Sequence, residues 1–294
     1  MVLFSVAAEG DKPLQTYIQA ARAMDGSGFY SMQLYEHVPY RPAWGLVFAV
    51  APQLRHLRVG PVTVPAKLYS PLVNARFMAL LQSIGPGAVL GISRGAYMGA
   101  ERAGIGEVVE AVASVAELVR QMAFFEPEIY VGTSGPKLVK AAAAVKSVKA
   151  IVVDNLANPA YARTLKNIIE QTGRKDLQLI ARPFTYIAEN CDTAAAKMAG
   201  ELRKYLPDLV GPSPMVEAAG LRYEDLGSTD PEVVVRVVEA FALYGSVDDV
   251  LNQAARLVEA GADHICFGHP LSDDFVEGVL AVRDRVLPYF SGLG

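Results

Sequence analysis

The sequence predicts an α/β fold: a (β/α)8 TIM barrel with an irregular insertion after its seventh strand, spanning residues 1–294 as one domain. Three observations point there. Short apolar, β-branched runs alternate with segments of helical period eight times along the chain. A length of 294 residues suits one such barrel, whereas helical or sandwich domains of that size usually split. The small, polar strand-to-helix turn at Gly132–Gly135 follows the fifth strand. An open doubly wound sheet, the runner-up, carries its glycine fingerprint after the first strand.

The elements follow in order. Residues 2–8 form strand one, and residues 12–24 a helix that Gly26 and Gly28 end. Residues 29–34 form strand two and 44–54 a helix. Strand three, 57–64, is interrupted by Gly60-Pro61, the mark of a bulge or an irregular end. Ser70-Pro71 caps and opens a helix over 71–84. Residues 88–92 are strand four and 106–125 a long amphipathic helix. Strand five is Ile129-Tyr130-Val131. Its turn, Gly132 to Gly135, runs into a helix opened by Pro136. Residues 150–153 are strand six, and Asn158-Pro159 begins a helix to 171. Strand seven covers 177–187, followed by a helix over 191–206. Residues 207–229 hold three prolines and three glycines without a clear period and form the insertion. Helices over 231–244 and 247–260 follow, the second opened by Ser246 with Asp249 three residues on. Strand eight is 264–267, and residues 275–289 close the chain as a helix.

Composition excludes several classes. A hydrophobic fraction of 52% against 20% charged residues supplies a large core and argues against disorder. The net charge of −4, without blocks of like charge, disfavours nucleic acid and anionic membrane as partners. No apolar run reaches the roughly 18 residues that a bilayer span needs. The N-terminus meets Glu9 and Asp11 at once and has no basic region, so a signal peptide is not expected, and the expectation is a cytoplasmic protein. Cys191 and Cys266 form neither a disulfide framework nor a metal spacing. No serine stands in a G-x-S-x-G elbow, which leaves a Ser-His-Asp hydrolase unsupported.

A barrel places its active site at the C-terminal ends of its strands. The residues there are Glu9, Glu36-His37, Thr63-Val64, Ser93-Arg94-Gly95, the 132–137 turn, Asp154-Asn155, Arg182 and His269. Glu36-His37 is the most chemical pair, since a histidine passes protons near neutral pH and a carboxylate can orient it. Neighbours on a strand face opposite ways, so both reach a site only if the chain turns there. The plain alternative is a surface glutamate beside a packing histidine. His56 and His264 read as structural. Only His37 and His269 lie at the correct end and no HxH or HxxxH spacing exists, so no metal site is expected. The 132–137 turn opens a helix N-terminus beside Lys137, which suits an anion, although such turns also occur without any ligand.

From these residues the chain resembles the bacterial luciferase-like superfamily over nearly its whole length. Within it, the chain is most similar to the coenzyme F420-dependent branch, the methylenetetrahydromethanopterin reductases above all. The block from Gly28-Phe29-Tyr30 to Glu36-His37 resembles that family's "GF…DH". Leu90 to Gly95 is similar to "LGIGPG", and Tyr130 to Pro136 to "YIGAQGP". The tail, Tyr244 to Val250, Leu257 to Asp263 and Phe267-Gly268-His269-Pro270, looks like "GTPEDV…LVEAGVDQIVFGSP".

The resemblance implies a luciferase-like barrel that binds a deazaflavin at its mouth and exchanges hydride through the ring's C5 carbon. The substrate it implies is a small molecule, pterin-like or other. By position, His37 and Glu36 match the catalytic histidine and acid near the head group. Thr63 and Val64 match a bulge behind the ring, which implies a non-prolyl cis peptide between Pro61 and Thr63. Ser93, Arg94 and Gly95 match ring-edge contacts, and Ser134, Gly135, Lys137 and Leu138 match cofactor positions on the glycine turn. The family also implies a homodimer paired through the helices at 44–54 and 71–84. Departures are equally specific. The first-strand glutamate of the methylene reductases falls on Ala7, with Glu9 two residues on. The glutamate of the related sugar-phosphate dehydrogenases falls on Ala96. The stretch 97–128 is shorter than usual. An FMN-dependent monooxygenase and a cofactor-binding homologue without reductase activity are the alternatives.

Overall fold

A computed structural model describes residues 2–211 and 213–291. Pro212, within the expected insertion, lies outside the described residues. Twelve strands are formed among them. The first five are β1 (Leu3–Ala8), β2 (Ser31–Leu34), β3 (Arg58–Pro61), β4 (Val64–Pro65) and β5 (Val89–Ser93). Then come β6 (Glu128–Gly132), β7 (Val148–Asp154), β8 (Gln178–Arg182) and β9 (Phe184–Ile187). The last are β10 (Ala242–Gly245), β11 (His264–Phe267) and β12 (Pro270–Leu271). Helices alternate with them: α1 (Leu14–Met24), α2 (Ala43–Val50), α3 (Pro71–Ile84), α4 (Ile105–Ala123), α5 (Pro136–Ala143) and α6 (Pro159–Gln171). The C-terminal half adds α7 (Cys191–Val210), α8 (Pro214–Ala218), α9 (Pro231–Phe241), α10 (Val247–Glu259), α11 (Phe275–Ala281) and α12 (Leu287–Ser291).

Nine strands pair in the order β3-β2-β1-β11-β8-β7-β6-β5-β4, every pair parallel. β3 and β4 are two halves of one strand, so the ring has eight positions, and a parallel bridge between Val59 and Ala88 completes it. The TIM barrel expected from the sequence is therefore the fold. Its interior is packed by inward-facing side chains such as Ala7, Val89, Tyr130, Val152 and Cys266. The larger core lies between the strands' outer faces and the helices, for example Val6, Leu90, Val131 and Val153 against Val112, Val115 and Val139. Among the described residues no helix is long and apolar enough to cross a membrane.

The structure departs from the sequence reading at identifiable points. Strand seven splits into β8 and β9 at Pro183, which has no N–H to give a ladder. β9 leaves the barrel and forms a small parallel sheet with β10 and β12. The helix expected over 231–244 stops at Phe241, and Ala242-Leu243-Tyr244-Gly245 is a strand. An apolar run that short has no periodicity to separate the two states. The α7 helix continues one turn past Pro207, whose carbonyl accepts from the Tyr223 hydroxyl at 3.1 Å. The insertion thus begins as ordered helix and continues through α8. The non-prolyl cis peptide expected between Pro61 and Thr63 is present, at the Val62–Thr63 bond.

Candidate functional site

The C-terminal ends of the barrel strands open into a cavity of about 650 Å³, covered by the end of α7 and by α8. Most residues singled out from the sequence converge on it: Glu36, His37, Thr63, Ser93, Arg94, Gly95, Ser134, Gly135, Lys137 and Leu138 all line the wall. Val64 does not. Its neighbours Thr63 and Pro65 face the cavity, and strand alternation turns Val64 into the outer core, fully buried.

One wall is built on Thr63. A Cβ on Gly132 would lie 2.5 Å from the Thr63 methyl, and one on Gly91 would lie 2.8 Å from it. These two bare strand positions let Thr63 rest flat across β5 and β6, forming a shelf at the cavity edge. Beside it, Arg94, Arg102 and Lys137 bring three positive charges to the rim. The Arg94 Nε–H donates to the Ala103 carbonyl at 2.7 Å, which fixes the guanidinium. No ion pair holds any of the three among the described residues. Burial, then Arg94, lowers the pKa of Arg102. The glycine turn is tied internally: the Gly135 N–H donates to Thr133 Oγ1 at 3.0 Å, and the Tyr161 hydroxyl donates to the Ser134 carbonyl at 2.5 Å.

The adjoining wall carries the titratable groups, starting at Glu36, whose N–H donates to the Thr63 carbonyl at 3.3 Å. His37 and Glu36 both reach the cavity because the chain turns there, with the Tyr40 N–H donating to the His37 carbonyl at 2.9 Å. The two do not work on each other. Glu36 Oε2 accepts from the Ala43 N–H at 2.9 Å, at the start of α2. Burial raises the Glu36 pKa, and that bond offsets part of the rise. The acid beside His37 is instead Glu9, whose Oε1 lies 3.4 Å from His37 Nδ1 and 3.5 Å from His269 Nε2. His37 stacks on Tyr97, ring centres 4.2 Å apart. Burial, then Lys204, lowers the pKa of His37. Burial, with Lys12 next, takes His269 down to about 3. Burial and then Asp11 push Glu9 up to about 7. Among the described residues no group of histidines, cysteines and carboxylates is placed to hold a metal ion.

Arg182 crosses the floor with its side chain fully buried. Its Nε–H donates to Asp154 Oδ1 at 2.5 Å, and Nη1 donates to Gln33 Oε1 at 3.1 Å and to the Val62 carbonyl. Its guanidinium lies 4.5 Å from the Tyr35 ring centre. Burial opposes this charge, but Asp154 and Tyr35 raise the pKa above the usual arginine value. Glu9, Arg182 and His269 were visible as strand-end residues. Tyr97 comes from a short 3-10 helix, Ala96–Glu101, after β5, and Tyr205, Leu209 and Met215 come from α7 and α8, where no strand-end rule points.

No family model matches the chain. Among curated proteins, the 5,10-methylenetetrahydromethanopterin reductase of Archaeoglobus fulgidus is 23% identical over 94% of this chain and 95% of its own length. Among solved structures, the coenzyme F420 dependent tetrahydromethanopterin reductase from Methanopyrus kandleri has a TM-score of 0.83 at 18% identity, covering 98% of this chain and 99% of that one. The barrel is of the luciferase-like type. The likeness to methylenetetrahydromethanopterin reductase read from the sequence blocks is borne out. Other solved structures match as well. An F420-dependent secondary alcohol dehydrogenase has a TM-score of 0.73 at 17% identity, covering 98% of both chains. The oxygenating constituent of 3,6-diketocamphane monooxygenase from Pseudomonas putida, in complex with FMN, has 0.72 at 16%, again over 98% of both.

Proposed function

We propose that this chain is an F420-dependent oxidoreductase acting on a small substrate, with a reaction like that of 5,10-methylenetetrahydromethanopterin reductase. The observation that carries the reading is the division of one cavity into a flat shelf with a cationic rim and a wall of titratable and aromatic groups. A planar ring fits the shelf of Thr63 over Gly91 and Gly132. The unpaired Arg94, Arg102 and Lys137 fit the negative charge of a phosphorylated tail. Residues holding the cofactor would be Thr63, Ser93, Arg94, Gly95, Ser134, Gly135, Lys137 and Leu138. Bound there, a deazaflavin supplies or accepts hydride at its C5 carbon. His37 and Glu36 stand at the head-group end, where His37, with its lowered pKa, is neutral near pH 7. Tyr97 fixes its ring plane. The relatives with F420 in their names support the choice of deazaflavin over FMN. The exposed Leu72 and Leu80 on α3 support the expected homodimer.

The test is oxidation of reduced F420 with methylenetetrahydromethanopterin, followed by absorbance. The reading expects substrate-dependent oxidation that falls about 10²–10⁴-fold in His37→Asn. Cofactor that binds but is never oxidised would identify a binding homologue without reductase activity.

A further inference from the structure

Buried carboxylates are ordinarily held by backbone N–H groups or by a cation. Glu9 is 5% exposed and has neither. Its Oε1 faces only the two imidazole nitrogens of His37 and His269, at 3.4 and 3.5 Å. Its Oε2 accepts from the Tyr205 hydroxyl at 3.5 Å. On the histidine side the polar atoms are left over: His37 Nδ1 and both ring nitrogens of His269 are buried without a hydrogen-bond partner. An arrangement so poor as a structural support is suited to moving a proton.

The other side of Glu9 leads outward. The Tyr205 hydroxyl accepts from Lys204 Nζ at 2.9 Å and lies 3.3 Å from the Tyr40 hydroxyl. Lys204 is exposed, while Tyr205 is 7% exposed. The chain Glu9, Tyr205, Lys204 therefore links the cavity wall to solvent through the last turns of α7.

We propose that Glu9 exchanges the proton with the bound substrate, and that Tyr205 and Lys204 are its route to solvent. The proposal rests on the oxidoreductase reading for its substrate, but its titration can be read without any cofactor. The step balances simply. The Glu9 O–H bond breaks as an H–N or H–O bond forms on the substrate; a reduced deazaflavin held on the shelf would supply the electron pair, as hydride. Glu9, left as carboxylate, regains a proton from the Tyr205 hydroxyl, which takes one from the Lys204 ammonium. The reverse sequence serves the opposite direction.

The charged groups around Glu9 come from four places. Asp11 and Lys12 lie on its own loop, and Glu201 and Lys204 on α7. His37 follows β2 and His269 follows β11. The Tyr97 and Tyr35 hydroxyls also feel the Glu9 charge, which raises their pKa further after burial.

The experiment is difference infrared spectroscopy of the cofactor-free protein, wild type against Glu9→Gln, between about pH 5 and 9. The expected result is a carboxylic C=O band belonging to Glu9 that is present at acid pH and disappears near neutrality. Its response to a pH jump is expected to be slower in Tyr205→Phe and Lys204→Met, and restored by imidazole buffer. With the cofactor bound, Glu9→Gln is expected to lower kcat about 10²–10⁴-fold and leave F420 affinity unchanged. A Glu9 already ionised at pH 5 would overturn the assignment, whichever cofactor the protein takes. An unaltered pH-jump response in both α7 variants would overturn the route. A protein that shows the titration but binds no F420 would count against the oxidoreductase reading, not against the titrating acid.

Discussion

Glu9 sets a pH dependence on the fold as well as on the site. Its carboxyl has a folded pKa near 7 against an ordinary value of 4.5, which corresponds to roughly 3 kcal/mol. A group whose folded pKa is raised stabilises the fold fully below the unfolded value. That contribution is lost as pH rises from 4.5 through about 7. Gln at this position never ionises. Glu9→Gln is therefore expected to be more stable than wild type at pH 8, by about 1–3 kcal/mol, with the gap narrowing toward pH 5. Urea unfolding at the two pH values checks it, and a gap independent of pH would contradict it. His269 titrates in the opposite sense: its contribution is full above 6.5 and is lost as pH falls toward about 3, so part of that loss overlaps this window. Much of the site could be read at this scale. Ala7 and Glu9 share one face of the first strand's path, two residues and about 6.7 Å apart. Ala7 fills the barrel interior, so Glu9 stands one pleat nearer the mouth. Its partners were less legible. Glu36 precedes His37 in sequence, yet it bonds the start of α2, because neighbouring side chains on an extended chain diverge.

At the scale of elements, local punctuation decided what could be foreseen. The start of the α3 helix was legible because Ser70 caps it and Pro71 opens it; the Ser70 Oγ accepts from the Val73 N–H at 3.3 Å. β10 carried no such mark until Gly245, whose φ of 121° suits glycine. Two glycine substitutions separate tight from open elements. A Cβ on Gly60 would overlap the Val89 carbonyl, at the seam where β3 meets the strand that closes the ring. Gly60→Ala is expected to cost about 1–3 kcal/mol or more. Gly200 lies in the middle of α7 with nothing within 4 Å of an added Cβ. Gly200→Ala is expected to gain about 0.5–1 kcal/mol through helix propensity. Urea midpoints for the pair would contradict this account if both changes were neutral.

At the scale of the whole molecule, the eightfold strand–helix rhythm was legible because each strand is a short apolar run and each helix is amphipathic. The covering of the mouth was not, since it depends on how far α7 runs past a proline and where α8 then folds. The apolar residues Leu72 and Leu80 remain exposed along α3 at 49% and 48%. The homodimer proposed on them predicts sedimentation at twice the 31.5 kDa chain mass, and a shift to monomer in Leu80→Glu. Sedimentation of the wild type at the chain mass would contradict it. The central claim, that the shelf and its cationic rim hold a deazaflavin, is tested most directly by titrating the purified protein with coenzyme F420 and, in parallel, FMN, read by fluorescence quenching. The account predicts saturable F420 binding with a Kd of about 1 μM or tighter, near −8 kcal/mol, and no comparable FMN binding. Binding of FMN alone, or of neither, would contradict it.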